Sequence, residues 1–311
     1  MSLLISWSVA FDTIIQTVGD FRAQDNTPTS DLHLSLFSPT IRKEYGGTAA
    51  NIAYSLALLG ETPHIIASVG EDSRDYLMRL REFGIQTELI QTIPGSYCPQ
   101  AYIVRDGGNG QINVFHPGAM STSGEISHGN ITFSHAIVAP DSKEWILRRV
   151  DECTRQWIFT IFDPGQAMGI FSAEELRSCA VKSQITIMNE PERVQFESIV
   201  GEDFVSICKS HGHPAIVTLG ERGSIIFTGS EEILIPAIYT ERIFDATGCG
   251  DAYRAGLLYG LSYEWTITKS AQLWGILWGI KIQSMGGQNH TFTLDQINEI
   301  GIREFGEKFF D

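Results

Sequence analysis

Basic residues are scarce in this sequence. Lysine and arginine number 22 against 37 aspartates and glutamates, a formal net charge of -15. Duplex nucleic acid calls for a basic surface, so that balance argues against it as a partner. A nucleotide is not excluded, because backbone N–H groups and a helix N-terminus can hold phosphate inside an acidic protein. Cysteines are few: Cys98, Cys153, Cys179, Cys208 and Cys249, odd in number, widely spaced and without a CxxC pair. Neither a disulfide framework nor a zinc site is expected from that pattern, and a reducing cytoplasm is. Long apolar runs are missing too; nothing approaches the roughly twenty residues that span a bilayer, so no membrane partner is expected. The opening MSLLISWSVAF lacks a basic n-region and a small-residue cleavage site, and is expected to be a buried first strand.

What is present is alternation. The 311 residues suit one large α/β domain, alone or with a small accessory element. Candidate strands are Leu3–Val9, His64–Val69, Ala136–Ala139, Trp157–Phe162, Ile185–Asn189, Ala215–Leu219 and Ser224–Thr228. Helical patterns lie between them, with capping boxes at Ser172–Glu175 and Thr293–Gln296. Strand–helix alternation predicts a mostly parallel central sheet with helices on both faces.

Two regions depart from it. Residues 11–45 and 97–118 read as strands and turns, for example Thr13–Val18, His33–Phe37, Ala101–Val104 and Gln111–Phe115. They are expected to pair as one small antiparallel β lid over the mouth of the α/β domain, with ordinary surface excursions as the alternative. The large domain then comprises residues 1–10, 46–96 and 119–311.

The most informative stretch is Asp245-Ala-Thr-Gly-Cys-Gly-Asp251, followed by AYRAGLLYGL. A glycine turn here feeds a helix N-terminus, which makes an anion site from the N–H groups of Gly248, Cys249, Gly250 and Asp251. A carboxylate closing such a loop would repel phosphate, unless Asp251 takes a proton from an attacking hydroxyl. Spacing alone leaves two readings of Asp251 open, that base or a plain helix cap.

DATGCGD resembles the C-terminal signature DTxGAGD of the ribokinase (PfkB) carbohydrate kinase family. It departs at Ala246 and at Cys249, whose thiol beside the helix dipole is expected to have a lowered pKa. The resemblance implies a three-layer α/β/α fold with a β lid, Asp251 as base and the Gly248–Asp251 amides as anion hole. It also implies that Asp245 and Thr247 lie near the nucleotide phosphates or an associated monovalent cation such as K⁺.

Weaker motifs occur in the family's order. Gly46, Gly47 and Asn51, in GGTAAN, are implied to meet the sugar hydroxyls. Asp12 follows the first strand, where α/β sheets bind ligands, and one carboxylate can accept two hydroxyl hydrogen bonds from a diol. Asn189-Glu-Pro-Glu192 matches the family's NxxE, oxygen donors suited to a hydrated Mg²⁺. Thr218, Gly220 and Gly223 resemble its ATP-side segment TxGxxG, though a hairpin with glycine turns reads the same.

Three further features resemble microbial adenosine and purine-nucleoside kinases: Phe115-His-Pro-Gly-Ala-Met120, Phe162-Asp-Pro-Gly-Gln166 and the extended ERIFDATGCGDAYRAGLLYGL. Gln288, in MGGQNH, fits the ATP side more loosely. A nucleoside base calls for flat apolar faces and a few amides, for which Phe11, Phe37, Phe115, Gln100, Gln111 and Gln166 are candidates. The implied reaction is ATP-dependent phosphorylation of a purine nucleoside 5′-hydroxyl, by a monomer or homodimer. A sugar kinase with a ribose- or fructose-like substrate shares every motif. A silent binder has no need of Asp251 as a base. A dehydrogenase is excluded because no GxGxxG follows the first strand.

Overall fold

A computed structural model describes residues 2–19, 35–108, 110–129, 131–240 and 242–311. Its strands in chain order are β1 (Leu3–Ser6), β2 (Ala10–Gln16), β3 (Thr40–Gly46), β4 (His64–Val69), β5 (Ile90–Thr92), β6 (Gln100–Arg105), β7 (Gln111–His116), β8 (His135–Val138), β9 (Phe159–Phe162), β10 (Ile185–Asn189), β11 (Ala215–Thr218), β12 (Ser224–Thr228) and β13 (Glu231–Ile235). The α-helices are α1 (Thr48–Leu58), α2 (Arg74–Glu82), α3 (Lys143–Arg155), α4 (Ala173–Lys182), α5 (Glu190–Val200), α6 (Phe204–Ser210), α7 (Cys249–Ser262), α8 (Ile267–Lys281) and α9 (Leu294–Phe305). No helix among the described residues is long and apolar enough to cross a membrane.

A nine-stranded sheet runs in the order β13-β12-β11-β10-β9-β8-β1-β4-β5. Pairing is parallel from β5 to β11, and β12 and β13 close the far edge as antiparallel strands. Strand alternation divides its side chains between two cores. Leu3, Ile5, Ile65, Ile137, Ile161 and Ile187 pack with α1, α2, α7 and α8 on one face. Leu4, Ile66, Val138, Phe162 and Met188 pack with α3 to α6 on the other. A period of two on a doubly covered sheet leaves no polar face, which is why these strands read as continuous apolar runs. The fold is the expected three-layer α/β/α arrangement, and both expected capping boxes form.

The second sheet has four strands, β3-β2-β6-β7. It differs from the expected antiparallel lid. The join between β2 and β6 is parallel, so the sheet is mixed rather than antiparallel. A strand was expected over His33–Phe37, but His33 and Leu34 lie outside the described residues and Ser35–Phe37 carry no strand. The partner of β2 is instead β3, whose polar TIRKEYG shows no one-sided apolar pattern because most of it is at least partly exposed.

The chain order reverses at β1, with β4 and β5 on one side of it and β8 onwards on the other. Ligands of open α/β sheets bind at such a switch point, beyond the carboxyl ends of the strands. The small sheet departs from that end, since β2 begins four residues after β1 stops.

Candidate active site

A cavity of about 590 Å³ opens at the switch point. Trp7 and Ser8 after β1, and Pro140 and Asp141 after β8, form its floor. Asp12, Ala101, Ile103 and Phe115 bring in the small sheet, and Thr247, Gly248 and Asp251 close the end at α7. A smaller cleft of about 80 Å³ holds Thr218, Gly220, Gly223, Gly250 and Arg254. The first turn of α7 thus borders both spaces, with Asp251 on one and Gly250 on the other.

Gly248 is the N-cap of α7 and has φ 76°, a left-handed conformation that would strain any other residue. Asp251 sits three residues further on and does not cap the helix. Its Oδ2 accepts a hydrogen bond from Asn51 Nδ2 at 2.8 Å. Burial is the main cause that pushes its pKa up to about 6, against the pull of Arg254 and the Asn51 hydrogen bond. The cap reading of Asp251 therefore falls away.

The amide of Cys249 does not join an anion hole, because it donates to Ala246 O at 3.1 Å. The first-turn N–H groups of Gly250 and Asp251 are of the kind a helix leaves without intrahelical acceptors. The Cys249 thiol is buried, and desolvation pushes it up to about 11, overriding the helix dipole that was expected to lower it.

Asp12 lies on β2 opposite Glu44 and Ala101. Gly46 makes room for it, since a Cβ at that position would run into the Asp12 carboxylate. Burial, then the nearby charges of Asp251, Asp245 and Glu44, push Asp12 up to about 6. Gly47 has φ 86° and starts α1, whose first turn delivers Asn51 to Asp251.

Every oxygen of Asp245 accepts a hydrogen bond. Its Oδ1 accepts from the N–H and hydroxyl of Thr247, and its Oδ2 accepts from Gly286 N–H at 2.9 Å. Its carbonyl oxygen accepts from Lys281 Nζ, also at 2.9 Å. These bonds hold the residue 245–247 loop in shape.

Arg254 follows Asp251 by one helical turn and forms a buried ion pair with Asp163, the aspartate of FDPGQ. Burial disfavours its charge, but the Asp163 carboxylate more than compensates and raises it above the ordinary value. The only local trace of Arg254's role in the sequence is its i+3 spacing from Asp251 on α7.

Two expected ligand contacts, those of Gln100 and Gln288, are placed differently by the structure, while Asn189 and Glu192 are held by a local capping box. Gln100 does not line the large cavity, because it alternates with Ala101 on β6 and its Oε1 instead accepts from Tyr102 Oη at 2.8 Å. Gln288 is not on the ATP side. It is buried, and its Nε2 donates to Asn51 Oδ1 at 3.0 Å and to Tyr76 Oη at 2.5 Å. Tyr76 in turn donates to Gly46 O, so a hydrogen-bonded chain links the Asp12 end of the cavity to Asp251. Asn189 and Glu192 form the capping box of α5, each side chain accepting from the other's N–H at 2.8 Å.

The remaining candidates divide simply. Phe115 and Gln166 line the large cavity, and Phe115 is 52% exposed at its rim. Phe11 is buried against Tyr45 and Tyr76 and supports the small sheet from behind. Phe37 is exposed, and Gln111 bonds Arg105 and Asn113 on the outer strand. Glu241, which opens the extended motif, lies outside the described residues.

Residues 21–291 match the model of the pfkB family of carbohydrate kinases. The chain is similar to a solved Burkholderia thailandensis nucleoside kinase in complex with inosine: 33% identity, TM-score 0.88, covering 98% of this chain and 99% of that one. It is 27% identical over 270 residues to a nucleoside kinase of Methanocaldococcus jannaschii, covering 85% of this chain and 88% of the relative. It is also 26% identical over 268 residues to an ATP-dependent 6-phosphofructokinase of Thermoanaerobacterium thermosaccharolyticum, covering 79% and 81%.

Proposed function

The chain belongs to the pfkB family of carbohydrate kinases, phosphotransferases with an alcohol acceptor, and on that premise we propose that it transfers the γ-phosphoryl group of ATP to the 5′-hydroxyl of a purine nucleoside. One observation carries this reading. Asp12 and Asp251 share a cavity of about 590 Å³ that is rimmed by Phe115, and the first turn of α7 separates it from a second cleft. That volume lies within the range of small-molecule sites of ribose-plus-base size.

Asp12 accepts hydrogen bonds from the ribose diol, and Phe115 and Gln166 contact the base. Asp251, oriented by Asn51, takes the 5′-hydroxyl proton. The O5′–P bond forms as the bond from Pγ to the β–γ bridging oxygen breaks, and ADP leaves with the electron pair. Gly250 and Asp251 N–H groups and the α7 dipole face the equatorial phosphoryl oxygens. Thr218, Gly220 and Gly223, which line the smaller cleft, border the nucleotide, with Arg254 as its cation.

Oxygen donors near the nucleotide suit Mg²⁺ bound mostly by phosphate and water. Asn189 and Glu192 would hold that shell, and the ion would neutralise charge on the β- and γ-phosphates. Glu192 lies close enough to Asp163 for that carboxylate, after burial, to raise its pKa. The small sheet acts as a lid that limits water at the reacting phosphoryl.

The test is ADP release with ATP–Mg²⁺, comparing adenosine, inosine, guanosine, cytidine, ribose and fructose. Strong turnover of a purine nucleoside, with phosphorus NMR locating product phosphate at the 5′ carbon, is the expected result. Turnover of a free sugar alone would transfer the reading to a sugar kinase, an outcome the phosphofructokinase relative makes worth including.

A further inference from the structure

Lys281 ends α8 with no solvent exposure at all. A lysine is almost never buried so completely without partners. Its ammonium donates to Asp245 O at 2.9 Å and Ser284 O at 3.0 Å. The two segments it joins are the loop that enters α7 and the turn that follows α8. They are also stitched by Phe244 N–H and Asp245 N–H donating to Ile282 O, and by Gly286 N–H donating to Asp245 Oδ2.

Backbone carbonyls converging on a buried monovalent charge are the chemistry of a K⁺ site. A K⁺ ion at Asp245 would have to share oxygens that each already accept at least one hydrogen bond, and the Lys281 ammonium already sits on the carbonyl it would use. Oδ1 is taken by Thr247, Oδ2 by Gly286, and the carbonyl by Lys281 and the Cys249 thiol. The monovalent cation implied by the family resemblance therefore does not fit these residues. The charge it would supply is already there, on a side chain.

We propose that the Lys281 ammonium is the built-in monovalent cation of the 245–250 loop, so that the enzyme works without added K⁺. This rests on reading that loop as the phosphoryl-binding segment. The ammonium positions the loop through Asp245 and offsets the carboxylates of Asp245 and Asp251, with which it interacts attractively. It touches no substrate and is a positioning residue. Tethering makes the cation permanent, whereas a free ion would have to be bound from solution each time the site emptied.

The first measurement uses the wild-type protein. Thermal unfolding of the ligand-free chain, and turnover of its best acceptor, are recorded in KCl, NaCl and choline chloride at one ionic strength. Equal melting temperatures and rates within about twofold are expected, because no cation site is left to fill. A melting temperature or rate that rises specifically with K⁺ overturns the proposal. The melting arm needs no substrate, so it stands even if none of the proposed acceptors is phosphorylated.

The second measurement uses Lys281→Ala and Lys281→Met, the latter keeping the apolar stem. In choline chloride both should lose roughly tenfold or more in rate. K⁺ or ammonium should restore Lys281→Ala in a dose-dependent way and raise its melting temperature, and should do less for Lys281→Met, whose side chain fills the space. Variants equally active in choline and K⁺ would reduce Lys281 to packing. If neither variant folds, the wild-type comparison alone decides.

Discussion

Replacing Asp251 by asparagine should stabilise the ligand-free protein while removing most of its activity. The carboxyl group is buried, and its pKa rises from 3.8 to about 6. A shift of that size is worth about 3 kcal/mol between the two protonation states. Below pH 3.8 the group is protonated folded and unfolded, and the two states differ little on its account. As pH rises towards 6 the unfolded chain releases the proton and the fold retains it, so this contribution to stability is lost progressively. Above that window Asp251 is ionised in both states and its full cost is present. Asparagine carries no charge at any pH and can still accept the Asn51 hydrogen bond through its carbonyl oxygen. The attraction of Arg254 is already contained in the shifted value, and Arg254 keeps its Asp163 partner. For a chain of this size, about 3 kcal/mol corresponds to a rise of about 5 °C in melting temperature at pH 8. Thermal unfolding at pH 8 and pH 5, with turnover measured alongside, tests it. The gain should be smaller at pH 5, and turnover should fall by roughly 10²–10⁴-fold. A variant less stable than wild type at pH 8, or one with near-normal turnover, would refute the assignment of Asp251 as a desolvated base.

Two further outcomes are expected. Because Asp12 and Asp251 are both pushed up to about 6 and both must be carboxylates to act, kcat/KM should fall steeply on the acid side. One unit below that value the loss should be roughly a hundredfold, against about tenfold for one ionisation, and Asp12→Asn should leave the shallower slope. Gly46→Ala should displace the Asp12 carboxylate, raising KM for the acceptor by roughly tenfold or more while KM for ATP stays near its original value.

What could be read in advance follows from range. Seven strands of the nine-stranded sheet are legible because each strand's neighbours in sequence carry its apolar signal, as in Leu3–Ser6 or Ile185–Asn189, whereas the edge strands β5 and β13 are largely exposed and carry little of it. Strand β3 is not legible either, because TIRKEYG is polar on both faces and finds its place only by pairing with β2. Asp251 and its glycine turn form one local motif. The contacts that orient Asp251 do not: Asn51, Tyr76 and Gln288 meet from three distant segments. The motif around Gln288 points to the ATP side, and only packing shows that both hydrogens of its amide are used inside the protein. Lys281, at the end of an apolar helix, reads as an ordinary partner for the helix dipole, and nothing local signals its complete burial.

The acidity of the chain then takes on a particular form at the site. Asp12, Asp245 and Asp251 lie close enough that Asp245 and Asp251 both raise Asp12, an awkward neighbourhood for a polyphosphate. The compensating charges are held on the other side of the first turn of α7. Arg254 faces the smaller cleft, and Lys281 lies beneath the 245–247 loop. The N-terminus of α7 adds its dipole between them. On the proposed assignment, carboxylates therefore border the acceptor cavity and positive charge borders the nucleotide cleft. Net charge averages over both and describes neither. A variant that neutralises Arg254 should for the same reason weaken nucleotide binding and, by removing the attraction that lowers it, raise the pKa of Asp251 further.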